Sequence, residues 1–86
     1  MGKLSQEEME RIVNEVEKAV DNVTDYYLTA TAGNSKWYDT YVEITVYWHS
    51  WRTGDDWEET WYVYDDGKIS TENDNYDNVE QLKSNI

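Results

Sequence analysis

Between Asn22 and Tyr26 the hydrophobic period of this chain changes from helical to extended, and that change limits the fold more than any other feature. Before it, Met9, Ile12, Val13, Val16, Ala19, Val20 and Val23 recur at steps of three and four, which lines up one apolar helical face. Glu7, Glu10, Arg11, Asn14, Glu15, Glu17, Lys18 and Asp21 fall on the other face. Ser5 is a favourable N-cap, and Glu8 three residues later completes a capping box. Leu4 and Met9 flank that cap as a hydrophobic staple. The pattern predicts a helix from about Gln6 to Asn22, roughly 25 Å long at 1.5 Å per residue.

After Thr24 apolar and polar residues alternate. Tyr26, Leu28, Ala30 and Ala32 predict a first strand, ended by a turn at Gly33-Asn34-Ser35-Lys36. Val42, Ile44, Val46 and Trp48 form one face of a second strand, with Tyr41, Glu43, Thr45, Tyr47 and His49 on the other. A hairpin loop at Arg52 to Asp56 leads to a third strand, Trp57 to Tyr64. Asp66-Gly67 predicts a tight turn, and Lys68 to Glu72 a short fourth strand. Asn73-Asp74-Asn75 reads as a loop. Asp77 and Glu80 suggest a second capping box, with Val79, Leu82 and Ile86 at helical steps behind it.

Strands joined by short turns imply an antiparallel meander. The helix stripe and the aliphatic sheet face should bury each other. The expectation is a single α+β domain over residues 1–86, with an N-terminal helix on a four-stranded antiparallel β-meander and a short C-terminal helix. Its core would be Ile12, Val13, Val16, Val20, Leu28, Val42, Ile44, Val46, Trp48, Trp61, Val63 and Ile69.

A chain of 86 residues buries only ~60–65% of the surface it exposes unfolded, so function belongs on a face or an edge. With no cysteine, disulfides and thiolate metal sites are excluded. No apolar run reaches the ~20 residues that cross a bilayer, and the N-terminal residues carry no apolar signal region. A cytoplasmic location is expected. His49 is the sole histidine, and no Ser-His-Asp or Cys-His set accompanies it. The isolated glycines make no phosphate loop. Glu72 to Glu80 is acidic but lacks the glycine of an EF-hand loop. Glu43 and Glu59 fall on opposite sheet faces by parity, which separates them for acid–base work. Neither enzyme activity nor a cofactor or metal is expected.

The charge points to a partner. Nineteen acids against seven bases give −12, spread along the chain, with −5 over residues 1–43 and −7 over residues 44–86. Such a field repels nucleic acid and anionic membranes and draws in basic proteins. The acids cluster at Asp55-Asp56, Glu58-Glu59, Asp65-Asp66 and along Glu72 to Glu80, with only Arg52 and Lys68 as bases over residues 50–80. Asp is common at turns for local hydrogen-bonding reasons, which accounts for part of this but not for the scarcity of Lys. Tyr62 and Tyr64 would share an outer sheet face with further Tyr and Thr, and tyrosine is a preferred interface residue.

These clusters, set in a Tyr- and Asn-rich, Lys-poor chain, resemble in type the small acidic proteins that phages use to disable host machinery, some of which mimic DNA. The resemblance implies a protein that occupies the DNA-binding surface of a basic host protein, such as the nucleoid protein HU or a DNA-processing enzyme. The expected contact residues are Asp55, Asp56, Glu58, Glu59, Asp65, Asp66, Glu72, Asp74, Asp77, Tyr62 and Tyr64. Two alternatives share the electrostatics: an immunity- or antitoxin-type inhibitor of a basic nuclease or toxin, and an acidic halophilic ligand-binding domain built on the Trp residues. A free edge strand or the Tyr-rich face would also support a homodimer.

Overall fold

The computed structural model describes residues 3–86. Helix α1 spans Gln6–Asp21, and Ser5 Oγ accepts the Glu8 N–H at 3.2 Å. Glu7 and Glu8 in its first turn and Lys18 in its last suit the helix dipole. Five strands follow: β1 Leu28–Trp37, β2 Tyr41–Ser50, β3 Asp56–Tyr64, β4 Ile69–Ser70 and β5 Asn75–Tyr76. Helix α2, Val79–Ser84, closes the chain. The strands lie in the order β1-β2-β3-β4-β5, and every neighbouring pair is antiparallel.

One face of this sheet carries the core. Met9, Ile12, Val13, Val16 and Val20 of α1 pack against Ala30, Val42, Ile44, Val46, Trp61, Val63 and Ile69. Val79 and Leu82 of α2 close one side of that layer. Val16, Val42, Ile44, Val46 and Val63 are fully shielded, and burial of each such side chain contributes about 1.5–3 kcal/mol. Leu28 and Trp48 are expected inside and are only half-buried, because both line an open groove, Leu28 at the end of β1 opposite Ser50.

Three expectations are corrected. The stretch Gly33 to Lys36 is not a turn. β1 continues through it to Trp37, and its pairing with β2 slips between Ala32 and Ser35, a β-bulge. Glycine is needed there for space: a Cβ on Gly33 would run into the Tyr47 ring and stand 3.0 Å from the Thr45 carbonyl oxygen. The chain reverses instead at residues 38–40, where the Tyr38 N–H donates to the Tyr41 carbonyl.

Among the described residues the sheet has five strands, not four. Thr71 makes the difference. Its N–H and hydroxyl both bond to the Asp74 carbonyl, and its Oγ1 accepts the Asn73 and Asp74 N–H groups. That tight reversal folds Asn75–Tyr76 back onto β4. The second helix is capped by Asn78 rather than Asp77. Asn78 Oδ1 accepts the Gln81 N–H, while Gln81 Oε1 reaches back to the Asp77 N–H.

Candidate protein-binding surface

Cross-strand register sorts the side chains onto two faces. Val42↔Val63, Ile44↔Trp61, Val46↔Glu59 and Trp48↔Trp57 share the helix side. Tyr41↔Tyr64, Glu43↔Tyr62, Thr45↔Thr60, Tyr47↔Glu58 and His49↔Asp56 share the open side. The adjacent acids Glu58 and Glu59 therefore project to opposite faces.

The open face has two different ends. At one end Tyr38 stacks on Tyr41 at 4.7 Å, and Tyr41 meets Tyr62 at 5.7 Å and Tyr64 at 6.1 Å. Packing pushes the Tyr41 hydroxyl above its ordinary pKa, first by desolvation and then through Tyr38 and Glu43. At the other end His49 Nδ1 stands 2.6 Å from Asp56 Oδ1. A shallow cavity of about 410 Å³ surrounds that pair, lined also by Thr29, Tyr47, Trp57 and Glu58. Thr29, His49 and Asp56 are neighbours across three strands, but among the described residues no hydrogen bond joins His49 to Thr29.

The expected contact residues separate into three groups. Asp55 and Asp56 sit at the β2–β3 reversal, where Gly54 adopts φ +76° and its N–H donates to the Ser50 carbonyl at 2.7 Å. Glu58 lies beside them on the open face. Asp65 and Asp66 lie at the opposite end of β3, roughly 30 Å away along nine residues of strand. They form a three-residue reversal in which Gly67 takes φ +92°. Asp65 is tied into the fold: its carbonyl accepts the Leu4 N–H, its N–H donates to Thr40, and Lys3 Nζ stands 3.5 Å from its Oδ2. Asp66 accepts the Lys68 N–H, and its neighbours Tyr64 and Asp77 line one shallow depression with it. Tyr62 and Tyr64 belong to this end.

The third group lies on the helix side. Glu59 and Asp74 converge, together with Asp25, which is not among the expected residues, on a groove of about 320 Å³ whose walls include Trp48 and Trp61. Glu72 is spent locally, accepting the Thr60 N–H at 3.2 Å. Among the described residues no group of three acids or histidines is placed to hold a metal ion. None of the helices among them is long and apolar enough to cross a membrane.

Sequence reasoning missed the aromatic residues around the acidic end. Trp51 is 67% exposed and Tyr26 82% exposed, and the Arg52 guanidinium lies 5.3 Å over the Tyr27 ring. Trp57 stacks on Trp48 with ring centroids 6.3 Å apart. One signal was available: Trp51 falls outside the strand alternation, in a loop with no core to fill. Exposed Trp and Tyr beside charge is the usual make-up of an interface anchor.

Set against protein-family models, curated proteins and solved structures, the chain matches none. The surface alone therefore speaks for its function. Twelve net negative charges are carried on a body 45 Å long and about 20 Å across. That is one net charge per ~3.8 Å, close to the 3.4 Å spacing of a single DNA strand and about half the density of the duplex.

Proposed function

We propose that this protein is a DNA mimic that binds the DNA-binding surface of a basic protein and blocks its access to DNA. One observation carries the reading: a narrow body holds its net charge at a linear density near that of a nucleic-acid strand, with acids at both ends of β3 and on both sheet faces. A partner evolved to neutralise phosphates meets a comparable field here. Exposed Trp51, Trp57 and Tyr26 add apolar contact that phosphates lack. The proposed setting is the bacterial cytoplasm, with a nucleoid protein such as HU as the first partner to try.

The test is capture from bacterial lysate with this protein as bait, followed by elution with duplex DNA. Release of a basic DNA-binding protein is expected, with affinity falling at least about tenfold between ~50 and ~200 mM salt. The combined Asp55→Lys, Asp56→Lys, Glu58→Lys and Glu59→Lys variant should bind at least tenfold more weakly yet melt cooperatively, since it relieves self-repulsion. A partner that DNA does not displace would move the immunity-type inhibitor ahead. Unchanged affinity of the reversed variant would move the contact to the Asp65-Asp66 end.

A further inference from the structure

β3 is nine residues long, yet β4 pairs only with its Tyr62 and Val63. Three hydrogen bonds give the direction of the rest of its backbone. The Tyr64 N–H donates to Lys68 and the Thr60 N–H to Glu72 Oε1, both away from β2. On the other side, the Ser50 N–H of β2 donates to the Asp55 carbonyl. Backbone groups alternate in direction along a strand. Asp56 and Glu58 therefore turn their N–H and C=O groups outward, and among the described residues nothing bonds to them there.

A bare edge is a template for another chain. The chemistry around this one selects which chain. Asp55, Asp56, Glu58 and Glu59 line it, and no base occurs between Arg52 and Lys68. A second copy pairing here would bring these carboxylates within ~5 Å of their own kind, which opposes self-association. A segment rich in arginine or lysine meets attraction instead. On the helix side the same edge borders the groove of Trp48, Glu59, Trp61, Asp25 and Asp74. A guanidinium entering that groove finds the carboxylates of Asp25, Glu59 and Asp74 to pair with.

We propose that the open edge of β3, at Asp56 to Glu59, receives an extended arginine-bearing segment of the partner protein as an added strand, with one cationic side chain in the Trp48–Trp61 groove. This rests on the reading that the partner is basic, and it adds main-chain pairing to what charge alone would supply.

The test separates the two contributions. Glu58→Gln and Glu58→Pro each remove one carboxylate, but only proline removes the outward N–H, and an edge position tolerates it. The probe is an eight-residue peptide alternating arginine and threonine, compared with a copy N-methylated at every residue so that neither edge can donate, titrated calorimetrically at ~50 mM salt. The Gln variant should lose no more than about threefold in affinity, as for one exposed charge. The Pro variant should lose at least about tenfold relative to Gln. Should proline unfold the domain, the N-methylated peptide on the wild-type protein reads the reciprocal bonds of the same added strand, from peptide N–H groups to the outward carbonyls of Asp56 and Glu58, and should bind at least tenfold more weakly than the plain one.

Equal affinities for Gln and Pro, or for the plain and methylated peptides, overturn the proposal. DNA displacement of a captured partner would then still stand on its own. A concentration-dependent dimer that Glu58→Pro dissolves would overturn it too, by giving the edge to a second copy. If the edge effects appear but DNA displaces nothing, the added strand survives and the mimicry falls.

Discussion

Single residues in this protein trade stability for charge. Glu17 lies four residues before Asp21 on α1, so two carboxylates share one helix face. Its pKa is raised, first by partial burial and then by Asp21. Asp21 is held in place because its Oδ1 accepts the Ala32 N–H at 3.2 Å. The sign of the pH effect follows. A carboxyl whose folded pKa lies above its unfolded value favours folding while protonated, and that advantage is lost as pH rises through the folded value. At neutral pH the ionised Glu17 therefore costs stability. Glu17→Gln should stabilise the domain at pH 7 by about 0.2–0.5 kcal/mol, the usual size of such a like-charge pair. The gain should vanish below about pH 4, where the wild-type carboxyl is itself neutral. Urea unfolding of both proteins at the two pH values checks this; a gain that persists in acid would assign it to helix propensity instead.

Whole elements were legible in the sequence where their signal is local. The 3.6-residue period of Met9 to Val23 and the Ser5 cap place α1 to within one residue, because both act over one or two helical turns. The alternation in β2 and β3 is equally local, and Gly54 and Gly67 mark both reversals through their positive φ. The bulge was hidden because Gly33-Asn34-Ser35-Lys36 has the composition of a turn, and only pairing with β2 shows that the strand continues. β5 was hidden because two residues carry no period, and its existence depends on the Thr71 bonds to Asp74. The groove could not be read at all, since Asp25, Glu59 and Asp74 come from distant parts of the chain. Helix α2 shows how such small elements are held. Six residues are too few to be stable alone, so Asn78 at its N-cap and the burial of Val79 and Leu82 must carry it. Asn78→Ala should cost about 0.5–2 kcal/mol. Hydrogen exchange should show the loss concentrated in residues 79–86, the last element of the sheet and helix layer. Protection unchanged there would mean that Leu82 burial suffices without the cap.

At the scale of the whole molecule the charge acts in two opposed ways, and this gives the reading a signature. Nineteen acids and seven bases on a body 45 Å long repel one another most when the screening length is long. That length is about 30 Å at 10 mM salt and about 3 Å at 1 M. At low salt, charges at the two ends of β3 still feel each other; at high salt only neighbours do. Folding brings the carboxylates together, so salt should stabilise the native state. Between 10 and 500 mM sodium chloride at pH 7 we expect the melting temperature to rise by about 5 °C, the effect of roughly 1 kcal/mol on a domain of this size. Binding to a basic partner draws on the same field with opposite sign and should weaken over the same range. Thermal melts and binding isotherms in one salt series measure both. Opposite slopes are expected if the uncompensated carboxylates both strain the fold and recruit the partner. A halophilic domain would instead lose its structure at the low end of the series. If the melting temperature stays flat while affinity falls, the few ion pairs such as Lys83 with Glu15 and Lys3 with Asp65 already balance the fold locally. The net charge would then act on the partner alone.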